Sequence, residues 1–86
     1  MMTLMPRVEL LQGLLRYTQM TGASRQDISD KLGITLDESS ELTAFCLMRC
    51  MVRFTIMGGI TIFSATDFGI HLLDNPGELA KEIENS

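Results

Sequence analysis

Hydrophobic residues near the beginning of the chain follow the spacing of an amphipathic helix. Between Val8 and Tyr17 the apolar side chains recur at intervals of three and four residues, which places them on one broad face of a helix. The pattern ends near Met20, directly before a Thr-Gly pair that is typical of the end of a helix. We therefore predict a first helix over residues 6–20.

A second, shorter helix is predicted from the residues at its two ends. Ser24 and Asp27 have the spacing of a capping box, in which each side chain accepts a hydrogen bond from the backbone N–H of the other residue. Gly33 stands where a glycine in the left-handed conformation would end the helix. The second helix should therefore cover about residues 24–32.

A third helix is predicted to begin at a cap formed by Thr35 or Asp37 and to run to about Met51. Its first turns are polar, whereas residues 44–48 form an unbroken apolar run that occupies more than one face of a helix. A domain this small has little core with which to cover such a helix on all sides. We therefore expect a partner chain to cover part of it.

After the third helix the hydrophobic period changes from helical to two, on both sides of Gly58-Gly59, which predicts a β-hairpin. Two registers are open. A two-residue glycine turn sets Ile56 opposite Thr61, whereas a three-residue loop over residues 57–59 sets Ile56 opposite Ile60. Because the second register pairs apolar side chains with each other, we favour the three-residue loop.

Thr66 and Asp67 are placed to cap a closing helix. Its apolar residues are Phe68, Ile70, Leu72 and Leu73. Asn75 can then cap once more, with Pro76 in the first helical position. We therefore interpret residues 75–86 as a short terminal helix or a frayed tail.

The composition is that of one globular domain, which we expect to span residues 1–86. Hydrophobic residues make up 45% of the chain and charged residues 21%, close to the average of globular proteins. No apolar run has the length of a membrane span, and the first residues lack the features of a signal peptide, so we expect a soluble, cytoplasmic protein with no membrane contact. Cys46 and Cys50, four apart on the predicted third helix, are interpreted as small apolar residues of a core or an interface.

The net charge of −4 argues against DNA as the default partner, because affinity for DNA comes largely from Lys and Arg side chains that neutralise phosphates. The seven basic residues are scattered singly along the chain. Enzyme chemistry also has little support, since no nucleophile, base and orienting acid are grouped and no glycine-rich loop follows a strand. We expect no catalytic activity, no cofactor and no metal ion.

The predicted order is three helices, a two-stranded hairpin and a closing helix, and in this order the chain resembles the winged helix-turn-helix family. The resemblance rests on the stretch SRQDISDKLGI, on the helix that follows it, on the glycine-tipped hairpin, and on SATDFGIHLL. The last stretch is similar to the phrase LT-x-x-G-x-x-LL with which many small winged-helix regulators leave the wing. The resemblance implies an α+β, mostly helical fold, with the hairpin as the wing, and the function of a small transcription regulator.

In that family the third helix enters the major groove and the wing lies on the backbone or in the minor groove. For this chain the resemblance implies a homodimer in which helix 1 and the closing helix pair two subunits, so that two third helices face successive grooves. It also implies a set of nucleic-acid contacts. These candidate residues are Arg25, Gln26, Lys31, Thr35, Ser39, Ser40, Thr43 and Arg53.

Acidic residues occupy the beginning of the helix that would read DNA, and the tip of the wing has no Lys or Arg. Acids near phosphates cost Coulomb energy, although an acid in the first turn also stabilises its own helix. Two functions therefore remain: a dimeric transcription regulator that contacts DNA weakly or with help, or a protein-protein interaction module, an adaptor or inhibitor, that does not bind DNA. Candidate partner-binding residues are Asp37, Glu38, Glu41, Met57, Phe68 and Leu72.

Overall fold

The computed structural model describes residues 7–85, and within them the chain forms five helices and one two-stranded antiparallel sheet. The elements in chain order are α1 (Val8–Met20), α2 (Arg25–Leu32), α3 (Leu36–Met48), β1 (Val52–Met57), β2 (Ile60–Ala65), α4 (Asp67–Asp74) and α5 (Pro76–Glu84). This order confirms the predicted α+β, mostly helical architecture. The predicted start of the first helix at residue 6 lies outside the described residues.

Side-chain caps define the ends of α2 and the beginning of α3. The Ser24 hydroxyl accepts a hydrogen bond from the Asp27 N–H at 3.1 Å, and the Asp27 carboxylate accepts one from the Ser24 N–H at 3.1 Å. Gly33 ends α2 with φ 68°, in the left-handed conformation. The predicted capping box and glycine terminator are therefore confirmed. Of the two predicted caps of α3, the structure uses Thr35.

The third helix is shorter than predicted. α3 ends at Met48, and Cys50 adopts a left-handed conformation with φ 60°, so the helix does not continue to Met51. The turn places Met51 in the core with 0% exposure, and its N–H donates to the Cys46 carbonyl at 2.8 Å. Cys46 is buried and Cys50 is exposed, so the two thiols do not share a helix face. Burial of Met51 offsets the conformational cost of the left-handed Cys50. The helical pattern of the sequence gives no sign of this turn.

The hairpin adopts the register that apolar pairing did not favour. Gly58 and Gly59 form a two-residue turn, and Ile56 lies opposite Thr61. Both glycines have positive φ, 58° and 79°, as the two central residues of a type I′ turn do, and this turn matches the twist of antiparallel strands. The prediction of a three-residue loop was wrong because the backbone preference of the glycines sets the register here. Most of the hairpin is exposed, so pairing apolar residues there adds little burial.

A backbone bridge joins the base of the hairpin to the segment between α1 and α2. The Ala23 N–H donates to the Phe63 carbonyl at 3.0 Å, and the Phe63 N–H donates to the Ala23 carbonyl at 2.8 Å. Both side chains are fully buried. The bridge fixes the wing next to the beginning of α2. A single bridging residue has no periodic pattern, so the amino-acid sequence does not indicate this contact.

The beginning of α4 is fixed to the turn between α3 and β1. The Thr66 N–H donates to the Met51 carbonyl at 3.0 Å, and the Thr66 hydroxyl donates to the Cys50 carbonyl at 2.6 Å. The same hydroxyl accepts a hydrogen bond from the Gly69 N–H at 3.1 Å and so caps the helix. Gly69 is required here because a Cβ at this position would overlap the Met51 carbonyl. These contacts explain why the stretch SATDFG has a threonine at position 66 and a glycine at position 69.

Residues after α4 form a helix and not a frayed tail. Pro76 lies in the first turn of α5, and Leu79 is fully buried. The predicted side-chain cap by Asn75 was wrong. Its amide instead donates to the His71 carbonyl at 2.7 Å, which satisfies an acceptor near the end of α4.

The core is built around α1, which packs against α2, α4, α5 and β2. The buried apolar residues are Leu11, Leu14, Leu15, Ala23, Ile28, Leu42, Cys46, Met51, Val52, Phe63, Leu72 and Leu79. α3 is as long as α1, and each of the two helices has four buried residues, which in α3 are Ser39, Leu42, Thr43 and Cys46.

Candidate functional site

Ser39 holds α3 against α2, and neither Ser39 nor Thr43 faces the solvent. The Ser39 hydroxyl donates to the Arg25 carbonyl at 2.7 Å, and the Ser39 side chain is 0% exposed. The Thr43 hydroxyl donates to the Ser39 carbonyl at 2.9 Å, and Thr43 is also 0% exposed. The prediction that these two side chains contact DNA was therefore wrong. Their hydroxyls are bonded inside the domain, where an unpaired hydroxyl would cost free energy.

Thr35 and Glu38 form a second capping box at the beginning of α3. The Thr35 hydroxyl accepts a hydrogen bond from the Glu38 N–H at 3.1 Å, and the Glu38 carboxylate accepts one from the Thr35 N–H at 2.9 Å. These bonds satisfy N–H groups that the helix itself leaves without acceptors. Glu38 therefore has a structural role that is sufficient to explain its charge.

One stripe of α3 faces the solvent. Asp37, Glu41, Ala44 and Met48 are exposed and follow one another at spacings of four, three and four residues, which places them on one helix face. The first two are acidic and the last two are apolar, and α3 contains no Lys or Arg. Ser40 is half-buried beside this stripe. The sequence shows the helical spacing of these four residues. The burial of Ser39 and Thr43 determines that this face of α3 points outward.

The cation closest in sequence to this helix is its C-cap residue Arg49, which lies 3.5 Å from the Glu82 carboxylate, and the next ones lie on α2 and on the wing. The Arg25 guanidinium carbon lies 5.0 Å from the centre of the Phe63 ring, and the Lys31 ammonium lies 5.7 Å from the centre of the Tyr17 ring. Cation–π contacts of this kind orient a side chain and leave its charge in place. Arg53 is exposed on β1. The three cations remain single charges and do not form a stripe.

The wing exposes four large apolar side chains to solvent beside polar ones. Phe54, Ile56, Met57 and Ile60 have exposed fractions of 55%, 67%, 63% and 56%. The partner contacts predicted from the sequence include Met57 and not the other three residues. The available indication was that apolar residues occupy both faces of the hairpin, although a two-stranded ribbon on a small domain has only one face to bury.

Phe68 and Leu72, the α4 residues predicted at a partner interface, have different environments. Phe68 is 40% exposed, whereas Leu72 is 1% exposed and belongs to the core. The prediction that Leu72 contacts a partner was therefore wrong, because α1 and α5 pack against α4 and cover its apolar side. Phe68 is left as the exposed large apolar side chain of this helix.

The thiols have contrasting environments. Burial raises the pKa of the Cys46 thiol to about 12 from its ordinary value of 9.0, whereas Cys50 is exposed. Within residues 7–85, no three His, Cys, Asp or Glu side chains are grouped so that they could hold a metal ion. In the same part of the chain, every helix is too short or too polar to cross a membrane.

No protein-family model and no curated protein matches this chain. Several solved structures do. Sso10a-2, described as a DNA-binding protein from Sulfolobus solfataricus, matches with a TM-score of 0.75 and 16% identity, over 93% of this chain and 83% of that chain. A ZitR mutant from Lactococcus lactis matches with a TM-score of 0.71 and 12% identity, over 90% of this chain and 53% of that one.

An S. aureus MepR mutant bound to an oligodeoxyribonucleotide matches with a TM-score of 0.70 and 20% identity, over 91% of this chain and 59% of that chain. The present chain thus spans between half and three fifths of ZitR and MepR, and most of Sso10a-2. At these identities the likeness is one of fold. The helix-turn-helix of α2 and α3, the hairpin wing and the closing helix give this chain the winged helix-turn-helix fold.

Proposed function

We propose that this chain is a small, non-enzymatic winged-helix regulator of transcription that contacts DNA weakly through α3 and the wing, as a homodimer. The observation that carries the proposal is the match, over 91% of the chain, with a MepR mutant bound to an oligodeoxyribonucleotide. Sso10a-2, which matches over 93% of the chain, is also described as a DNA-binding protein. Both support the view that the matching elements serve here to contact DNA.

Electrostatics sets the strength of the proposed contact. We assign the phosphate contacts to Arg25, Lys31 and Arg53, because they are the cations of α2 and β1. Each neutralised phosphate contributes about −0.9 to the slope of log affinity against log salt, so we expect a slope of about −2 to −3. Asp37 and Glu41 on the exposed stripe act against this attraction. Binding should therefore be weak and measurable only at low salt.

Base contacts add little sequence discrimination in this proposal. Ser40 is half-buried, and the hydroxyl of Thr35 is engaged in its cap. The exposed amide of Gln26 at the beginning of α2 donates to the Asp30 carboxylate at 3.0 Å and would have to exchange this bond for one to DNA. An exposed Asp37 can favour only the amino group of cytosine. We expect a modest preference among sequences.

The test is fluorescence anisotropy of a labelled mixed-sequence duplex at about 20 mM salt, where phosphate attraction is strong. We expect Arg53→Glu to weaken binding by about tenfold, because one phosphate contact becomes a repulsion. Arg16→Glu makes the same change of charge on the exposed side of α1 and should weaken binding much less. Absence of wild-type binding at this salt, or equal losses in the two variants, would overturn the proposal.

A second candidate function is that of a protein-protein interaction module that uses this fold without DNA. The specific observation in its favour is that the exposed stripe of α3 has no cation and that the wing exposes four large apolar side chains. Reversal of Asp37 and Glu41 to Lys should abolish cross-linked capture of protein partners in the source cells, whereas reversal of Glu9 and Glu84 should not. Glu38 is left unchanged because its carboxylate belongs to the cap. Capture of the same proteins by both variants would count against this candidate.

A further inference from the structure

A cavity of about 460 Å³ lies between the second half of α1 and the end of α2. Arg16, Tyr17 and Met20 line it from α1, and Lys31 and Leu32 line it from the last turn of α2. Met20 follows Arg16 by four residues and Tyr17 by three, so these side chains share one side of the helix. Small-molecule sites in proteins have volumes of about 300–1,000 Å³. We name this site the α1–α2 cavity, and its volume is that of a small-molecule site.

Most of the surface of the α1–α2 cavity is apolar. Tyr17 and Leu32 are half-buried there, and Gly13 lines it without a side chain. A Cβ at Gly13 would lie 2.9 Å from the Leu32 Cδ2, which is closer than two carbon atoms pack, so the glycine leaves room for Leu32. Met20 is 82% exposed, and its flexible thioether side chain can fold over a bound molecule. A ligand in the cavity would therefore bury apolar surface of both helices.

The charged side chains of the α1–α2 cavity are both cations. The Lys31 ammonium lies 5.7 Å from the centre of the Tyr17 ring, so this side chain extends from α2 toward α1. Arg16 is exposed on α1 and lines the same cavity. None of the described residues that line the cavity is acidic. The cavity is therefore positively charged, in a chain whose net charge is −4.

We propose that the α1–α2 cavity binds a medium-chain aliphatic carboxylate, which is a small amphipathic anion. Its carboxylate pairs with the Arg16 guanidinium and the Lys31 ammonium. Its alkyl chain lies against Tyr17, Met20 and Leu32. The charged pairs set the orientation of the ligand, and burial of the alkyl chain supplies most of the affinity. This site is separate from the DNA and protein contacts proposed above and depends on neither of them.

Charge and apolar lining together select this ligand over three others. An inorganic anion would pair with the two cations but would leave the apolar lining in contact with water. A neutral alkyl molecule would cover the lining but would desolvate the cations without pairing them. An aromatic carboxylate would need a ring face on which to stack, and the Lys31 ammonium already lies over the Tyr17 ring. A flexible alkyl chain with one carboxylate avoids all three costs.

Tyr17 provides a direct signal for the test, because it is the single tyrosine of a chain that has no tryptophan. The full chain is titrated with octanoate at about 150 mM salt, which limits non-specific attraction between exposed charges. Equilibrium dialysis with radiolabelled octanoate measures the same binding without the Tyr17 signal. Three control ligands separate the two parts of the proposal. Acetate lacks the alkyl chain, octanol lacks the charge, and octylamine carries the opposite charge.

The chain offers a matched control for the loss of the two cations. The test variant is Arg16→Gln with Lys31→Gln, and the control variant is Arg7→Gln with Lys81→Gln. Each removes one Arg and one Lys from exposed positions, so the two double variants have the same net charge. Arg7 and Lys81 do not line the cavity.

A second matched pair tests the apolar contact. Met20→Ser changes the cavity, and Met48→Ser is its control outside the cavity. Met20 and Met48 are the last residues of α1 and α3, both of which are 13 residues long. Their exposed fractions are 82% and 83%, so both substitutions remove the same amount of exposed apolar surface.

The wild-type chain should bind octanoate saturably at one site per chain. Loss of the two cations should weaken binding about tenfold, Met20→Ser should weaken it about threefold, and both control variants should bind within about twofold of wild type. Acetate, octanol and octylamine should each bind about tenfold more weakly than octanoate, or weaker still.

Absence of saturable octanoate binding by the wild-type chain would overturn the proposal. Binding of octylamine as tight as that of octanoate, or equal losses in the test and control variants, would do the same. If circular dichroism shows that the cation variant is altered in structure, Met20→Ser and the control ligands decide. No DNA or protein partner takes part in these measurements, so their outcome is distinct from that of the duplex and capture experiments.

Discussion

At the scale of single residues, the buried thiol of Cys46 couples stability to pH. Burial raises its pKa from 9.0 to about 12, because the thiolate would lose its hydration inside the core. Below pH 9 the thiol is protonated in both the folded and the unfolded chain, so its ionisation does not change the free energy of unfolding. Between pH 9 and 12 the unfolded chain releases the proton while the folded chain keeps it, so the free energy of unfolding falls as pH rises.

We therefore predict that Cys46→Ala removes much of the loss of stability between pH 9 and 11.5, measured by urea denaturation at each pH. The variant itself should be less stable at pH 7, because it leaves a small cavity. Cys50→Ala is the control, since this thiol is exposed, and it should keep the wild-type dependence on pH. The same slope in both variants would mean that other groups cause the alkaline loss.

Residue identity predicted the caps at Ser24, Thr35 and Thr66 but not the environment of Asn75, and it predicted the direction of side chains poorly. The Ser24 and Thr35 caps follow from local spacing, because a capping box needs only neighbours in the chain. The burial of Ser39 and Thr43 depends on which side of α3 meets α2, and polar residues lie on both sides of its first turns. Hydroxyls are compatible with a base edge and equally with a carbonyl of the neighbouring helix. The sequence alone could not distinguish these two environments.

At the scale of elements, the contact between α4 and the turn before β1 depends on Gly69. A Cβ at this position would overlap the backbone carbonyl of Met51, and backbone is less able to move aside than the end of a flexible side chain. We predict that Gly69→Ala lowers the free energy of unfolding by about 2 kcal/mol or more, through displacement of α4 from the turn. Chemical denaturation in urea measures this difference.

Gly77 provides the matched control for this prediction. It lies in the first turn of α5, and a Cβ added there meets no atom within 4 Å. Gly77→Ala should leave stability unchanged or raise it by up to about 1 kcal/mol, because alanine has the higher helix propensity. A loss for Gly69→Ala that is no larger than the change for Gly77→Ala would show that the close approach to Met51 does not govern the Gly69 position.

The hydrophobic pattern of the sequence predicts that the wing exists, but it does not predict the register of its two strands. Its existence followed from the change of period at Val52 and from the glycine pair, and both are confirmed. Its register depended on a choice between cross-strand apolar pairing and turn geometry. Apolar pairing stabilises a sheet through burial, and this ribbon buries little apolar surface. The positive φ of Gly58 and Gly59 therefore determines the register of the two strands.

At the scale of the whole molecule, charge and apolar surface are distributed unevenly. The net charge is −4, and the cations are dispersed singly over the sequence, whereas four of the eight exposed large apolar side chains of the described residues lie on the wing. A winged helix that binds DNA strongly would show a concentration of cations on α3 and the wing. The architecture is that of a winged helix, and this distribution of charge and apolar surface is the basis for proposing a weak DNA contact and, as the second candidate, a protein partner. The proposed homodimer would present this surface twice.

We predict that the chain has a solution mass of twice the 9.6 kDa of one subunit, with α4 at the interface. Phe68→Asp should convert the dimer to the monomer, because it places a charge in the apolar contact. Phe54→Asp makes the same change on the wing, at a side chain that is 55% exposed compared with 40% for Phe68, and should leave the mass unchanged. Sedimentation equilibrium over a range of concentrations measures both, since association follows mass action. A monomeric wild-type chain, or dissociation caused by Phe54→Asp alone, would contradict an interface on α4.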